Sequence, residues 1–206
     1  EAVLALSDAI NVCPNDSKAS YYLGLLYHDK RQYDLSKKLW IKSSDINDTF
    51  PTVWRNLALI YMNKEDDEKK AVACMEKAFK LDQTDSRILM ELDQLYKRLH
   101  RDYNERLTFL QSYPNLIIER DDLLLEEITL LNMTGDYVKA KNLLDNHIFH
   151  PWEGGEGKVT SQYQYSRVEL AKIAIKENRY DDAISLLSEC LVYPENLGEG
   201  KLVNAQ

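Results

Sequence analysis

Asp136-Tyr137-Val138-Lys139-Ala140 and, 43 residues on, Arg179-Tyr180-Asp181-Asp182-Ala183 are two versions of one element. Each follows an apolar helical stretch after a short break, and each opens a second such stretch. Gln32-Tyr33-Asp34-Leu35-Ser36 is a third version, and Asp102-Tyr103-Asn104-Glu105 a loose fourth. The small residues that open the second stretches are Ala2, Ser36, Ala71, Ala140 and Ala183, with Glu105 holding the place once. Successive spacings are 34, 35, 34, 35 and 43. A fixed period of this length means one supersecondary unit repeated along the chain, each unit burying its apolar face on its neighbours.

The rest of each unit keeps the same register. First helices read Leu23-Gly24-x-x-Tyr27, Trp54-x-x-Leu57-Ala58-x-x-Tyr61 and Leu92-x-x-x-Tyr96, then Ile128-x-x-Leu131 and Leu170-Ala171-x-x-Ala174. Glycine or alanine after the leucine lets two helices cross closely, and the aromatic three residues on fills the space between units. Second helices carry a bulky residue four positions after the small one: Leu6, Trp40, Met75, Phe109, Leu144 and Leu187. Ala9, Ser43, Ala78 and Cys190 then supply the next small contact. The spacing i, i+4, i+7 marks one helix face.

Composition agrees with an all-α chain. Seven glycines and five prolines in 206 residues are too few for a protein of many tight turns, and five of the glycines fall within 154–157 and 198–200. Hydrophobic residues make up 44%, enough for a core. The net charge of −8 argues against a duplex nucleic-acid binder acting through bulk charge. No run approaches the roughly 20 apolar residues of a membrane span. A basic-then-apolar leader is also absent, which favours the cytoplasm. Because the chain opens on Glu1, it is expected to be a piece of a longer protein. Cys13, Cys74 and Cys190 are far apart and odd in number, and the last two are expected to be buried free thiols.

A two-helix unit of this period and pattern resembles the tetratricopeptide repeat (TPR), over nearly the whole chain. The resemblance implies an all-α, right-handed α-solenoid formed as a single array over 1–206. Its parts are a truncated unit's second helix at 1–13, helix pairs at 14–48, 51–85, 86–114, 115–149 and 161–194, a glycine-containing loop at 150–160 and a tail at 195–206. Asp93 in place of Gly/Ala, Glu105 in place of the small residue and a one-residue insertion at 65–70 depart from the pattern, so 86–114 is expected to pack least regularly.

First helices of such an array line a groove that usually binds and rarely catalyses. Counted from the second residue of each first helix, the groove charges are Lys18, Arg55, Arg87, Lys97 and Lys172 against Asp122, a basic strip on an acidic body. With Tyr21, the residues Arg55, Arg87, Lys97 and Lys172 are the candidate groove contacts, suited to an acidic or C-terminal-carboxylate peptide. The carboxylate clamp of chaperone-binding TPRs needs a lysine and an asparagine where Tyr21 and Leu25 stand, so chaperone binding is not expected, although Asn56 and Arg87 match later clamp positions.

Two further segments resemble each other: His150-Pro151-Trp152-Glu153-Gly154-Gly155-Glu156-Gly157-Lys158 and Tyr193-Pro194-Glu195-Asn196-Leu197-Gly198-Glu199-Gly200-Lys201. Neither is a phosphate loop, because Trp152 and Glu195 stand where its first glycine belongs and Val159 and Leu202 where its Ser/Thr belongs. His150, Glu153 and Glu156 are too thin a set for a metal. The bland reading makes the glycines a backbone device, with Glu and Lys pairing to the next unit. The sharper one makes Trp152, Glu153, Glu156, Lys158, Glu195, Asn196, Glu199 and Lys201 a sugar-contacting site, with the indole stacking on the sugar's apolar face. The same segments are similar to the C-terminal TPR region of large bacterial proteins that carry an uncharacterised galactose-mutarotase-like β-sandwich region. That resemblance implies a helical arm in a carbohydrate-handling parent. No catalytic triad or nucleophile elbow is present.

The expectation is therefore a non-catalytic binding or scaffolding arm without a cofactor or metal. Its partner is a peptide, a protein or the parent's own β-sandwich region, not nucleic acid or membrane. The alternatives are a sugar-contacting accessory module and a purely structural arm, including a homodimer.

Overall fold

Aspartates start many of the helices. Asp16 accepts from the Ala19 N–H at 2.9 Å, Asp67 from Lys70 at 3.1 Å, Asp85 from Arg87 at 2.8 Å, Asp102 from Asn104 at 2.8 Å and Asp136 from Lys139 at 3.3 Å. Each satisfies a donor that the first helical turn leaves unpaired. Pro51 and Pro114 open two others, where no amide hydrogen is needed.

In the computed structural model, which describes residues 1–192 and 194–198, the helices are α1 (Ala2–Val12), α2 (Ser17–Asp29), α3 (Tyr33–Ile46), α4 (Pro51–Lys64), α5 (Glu68–Leu81), α6 (Ser86–Arg98), α7 (Tyr103–Gln111), α8 (Pro114–Ile117), α9 (Asp121–Thr134), α10 (Tyr137–Asn146), α11 (Lys158–Lys176) and α12 (Tyr180–Glu189). A 3₁₀ turn spans Glu195–Leu197. No strand occurs among the described residues, and no helix there is long and apolar enough to cross a membrane.

The chain forms two compact units, Glu1–His100 and Arg101–Gln206. In the first, α2 packs on α3 and α4 on α5, and α6 lies against α5. The repeat pattern explains the closeness. A Cβ on Gly24 would stand 2.5 Å from Nε1 of Trp40, so α2 reaches α3 at that point only as glycine. The matching Ala58 is fully buried, as are Ser36 and Ser43 on either side of Trp40 and Ala71, Met75 and Ala78 on α5. Cys74 is buried there, which pushes its thiol up to about 11, whereas Cys13 is exposed and Cys190 half-buried.

In the second unit α7 and α10 pack on α9, and α11 on α10 and α12. The boundary between units falls between α6 and α7, the helices of the irregular 86–114 pair. Asp93 is fully buried at the Gly/Ala position and Glu105 is exposed. Helix α11 starts at Lys158, inside the segment expected to be loop, because Gly157 takes φ +73° as its N-cap. That conformation suits glycine far better than a residue with a Cβ.

Candidate binding surface

The first helices α4 and α6 carry a line of polar contacts. It begins at Asn56 on α4, near the Tyr21 hydroxyl of α2. Asn56 Oδ1 accepts from Arg55 Nη1 at 3.4 Å. Arg55 then crosses to α6: Nε donates to Glu91 Oε2 at 2.5 Å and Nη2 to Glu91 Oε1. Arg87, one turn before Glu91, adds its own Nε at 3.2 Å to Oε1. Two guanidiniums from neighbouring first helices thus converge on one carboxylate.

This placement changes the expected strip in two ways. Tyr21 was expected to face the groove, but its side chain is buried. Its ring packs 4.8 Å from that of Phe50, the residue before α4, and its backbone carbonyl accepts the Trp40 indole N–H at 3.2 Å. Burial raises the Tyr21 hydroxyl pKa above its ordinary value, so it stays a neutral hydrogen-bonding group. Glu91, absent from the expected set, offsets one of the strip's positive charges and holds two of its arginines. Arg87 and Lys97 are exposed, and Arg55 is half-buried. Lys172 lies in the other unit, exposed and paired with Glu169 at 2.6 Å.

Asn196 of the second glycine segment is held to the end of α10 and to Phe149, the residue before the first segment. The Phe149 N–H donates to Asn196 O at 2.7 Å, and Asn196 Nδ2 donates to Leu144 O and His147 O, each at 2.8 Å. Asn196 thereby satisfies carbonyls at the C-terminal end of α10, which lack helical partners. Gly198, at φ +68°, approaches so closely that a Cβ would stand 2.3 Å from Phe149 O. Trp152, expected to be exposed, is half-buried. Its ring lies against Gly155, where a Cβ would meet Cε2 at 2.4 Å. Glu153, Glu156, Lys158 and Glu195 are exposed, whereas Glu199 and Lys201 lie outside the described residues.

Sequence reading did not anticipate Asp121. It accepts from the His150 backbone N–H at 2.6 Å and sits 2.7 Å from His147 Nε2 and 3.0 Å from His150 Nδ1. Burial pushes its carboxyl pKa up, but these hydrogen bonds outweigh it and hold the pKa below the usual carboxylate value. Arg120, Asp121, Asp122, His150, Trp152 and Glu153 line an open cavity of about 440 Å³.

Comparison with known proteins bears on the fold. Residues 51–85 match the tetratricopeptide repeat family model. The chain is 22% identical over 191 residues to human general transcription factor 3C polypeptide 3, and it spans 21% of that protein's length. Among solved structures it resembles YrrB, described as a TPR protein with an unusual peptide-binding site, at a TM-score of 0.64 and 14% identity, covering 98% of this chain and 96% of that one. It also resembles PilF of Pseudomonas aeruginosa at a TM-score of 0.59 and 16% identity, covering 98% and 85%. Residues 51–85 thus match a tetratricopeptide repeat in sequence, and the fold of the chain is the all-α helix-pair fold of TPR proteins.

Proposed function

We propose that this chain is a non-catalytic binding arm whose first-helix face, within residues 1–100, captures an extended acidic peptide or protein segment. TPR proteins generally mediate protein–protein contacts, which supports the class of the reading. The convergence of Arg55 and Arg87 from neighbouring first helices supports its sign. Guanidiniums present a planar fork that suits carboxylates, and such contacts give specificity and fast association. The test is fluorescence anisotropy with a labelled alternating Glu-Ser peptide and its Gln-Ser counterpart. Binding should favour the acidic peptide, weaken with salt, and fall by about tenfold or more in R55E/R87E, because the two reversals turn the local field of this face from attraction to repulsion. Equal binding of the two peptides, or acidic binding that survives the double reversal, overturns the reading.

A second reading, a structural docking arm, draws on a different observation. Tyr180, Ile184, Leu187 and Leu191 form one stripe along α12 and its end, and all are exposed, Leu191 to 82%. Leu144, which holds the place of Leu187 one period earlier, is fully buried beside α11. An apolar stripe of this kind is a contact surface for another protein element. If that element is a second copy, the chain should show a concentration-dependent dimer by analytical ultracentrifugation that I184D/L187D dissolves; a dimer that persists in the variant counts against this stripe. The carbohydrate reading draws less support from the geometry, since both Asn196 amide hydrogen bonds go to backbone carbonyls and one side of Trp152 is covered by Gly155.

A further inference from the structure

We infer that Glu91 is a built-in competitor for the acidic ligand, so that the surface discriminates by exchanging one carboxylate for another rather than by offering free cations. The inference rests on the acidic-peptide reading above and assigns unequal roles to its two arginines. The Arg55 guanidinium is engaged on three nitrogens: Nε and Nη2 on Glu91, Nη1 on Asn56. Its side chain is 15% exposed. Arg87 gives Glu91 only Nε, at the longer distance of 3.2 Å, and its side chain is 64% exposed. An incoming carboxylate therefore meets the terminal nitrogens of Arg87 first and draws that residue away from Oε1 of Glu91. The Arg55–Glu91 fork stays closed behind it.

Such an exchange is close to even in charge and in hydrogen bonds, so it yields modest affinity. Exposed ion pairs contribute little because solvent screens them and side-chain order is lost or gained on both sides. A ligand with a single carboxylate gains little over Glu91 itself. One with several carboxylates in sequence, or a side-chain carboxylate beside a terminal one, gains from the cations that Glu91 does not hold. Neutralising Glu91 removes the competitor, opens the Arg55 fork to the ligand and raises the local positive field. Affinity for the alternating Glu-Ser peptide should rise about tenfold in E91Q, with a steeper dependence on salt.

A double-mutant cycle separates competition from scaffolding. R55Q should lower Glu-Ser affinity only about twofold to threefold in the natural background, where Arg55 acts through Glu91 and the local field, and about tenfold or more in E91Q, where it meets the ligand itself. Thermal unfolding of each variant checks the fold, and E91S serves in the same cycle if Gln at this position destabilises α6. If E91Q leaves the affinity unchanged or lowers it while R55E/R87E still abolishes binding, Glu91 only orients the arginines. The competitor role is then overturned and the acidic-peptide reading stands. If neither the natural chain nor E91Q prefers the Glu-Ser peptide over the Gln-Ser control, both fall together.

Discussion

Trp40→Ala should remove about 3–5 kcal/mol from the stability of residues 1–100, a large part of what a domain of that size possesses. The indole is 2% exposed. It fills the crossing of α2 and α3, stands against the one glycine of α2, donates its N–H to Tyr21 O and has the His28 ring 5.5 Å away. Alanine would leave a void that a glycine opposite cannot fill, and the helices can close it only by moving the whole pair. Urea unfolding followed by far-UV circular dichroism measures the loss.

The partner substitution sharpens the test. In the natural chain Gly24→Ala should cost well over the usual helix gain of alanine, since its methyl would enter the indole. In the Trp40→Ala background the same change should be neutral or stabilising, as the methyl enters the void and the helix propensity improves by about 1 kcal/mol. Additive costs would mean that Gly24 and Trp40 do not form one contact, and the account of how this pair closes would fail.

How much of this was legible in the sequence depends on the range of the contact. Gly24 after Leu23, Ser36 before Trp40 and Ala71 before Met75 announce their packing because a helix crossing is local chemistry repeated at a fixed period. Tyr21 was misplaced by the same template, because its burial involves Phe50, a residue before the next helix whose ring lies 4.8 Å away. Glu91 escaped the groove template, which samples three- and four-residue steps from Arg87 and passes over it. The i, i+4 pairing of Arg87 with Glu91 was nonetheless readable as a helix-surface ion pair. The likeness of the two glycine segments was legible in their residues. That Asn196 would bond to carbonyls some 50 residues earlier, or that Asp121 would take three hydrogen bonds from 147–150, was not legible. Both contacts exist only after α9, α10 and the 3₁₀ turn have been brought together.

Arg167→Met should cost residues 101 onward about 1–3 kcal/mol near pH 7, for the loss of charge-assisted hydrogen bonds to two carboxylates that solvent and Lys141 partly compensate. The guanidinium is 2% exposed and ties three helices. From α11, Nε donates to Glu189 on α12 at 2.7 Å and Nη2 to Asp145 on α10, while the cation lies 3.4 Å from the centre of the Tyr163 ring. Methionine can replace the packing but not the donors. Lys141, 2.7 Å from Asp145 and 3.6 Å from Glu189, would be left to serve both carboxylates.

The pH dependence identifies the cause. Burial pushes the Asp145 carboxyl pKa up, yet the hydrogen bonds and charges of Lys141 and Arg167 outweigh it and hold the pKa below the ordinary value. A carboxylate with a depressed folded pKa contributes stability above its unfolded pKa of about 3.9, and that contribution is lost as pH falls through the folded value. Without Arg167 the folded pKa rises toward the unfolded one, so the natural chain's advantage, and with it the variant's penalty, shrinks as the pH is lowered from about 7 to about 2.5, through and below the unfolded value. Urea midpoints at those two pH values, with Arg167→Lys as the charge-preserving control, read the difference directly. A penalty of equal size at both would place the loss in the Tyr163 stack rather than in the carboxylates, and the electrostatic account of this junction would fall.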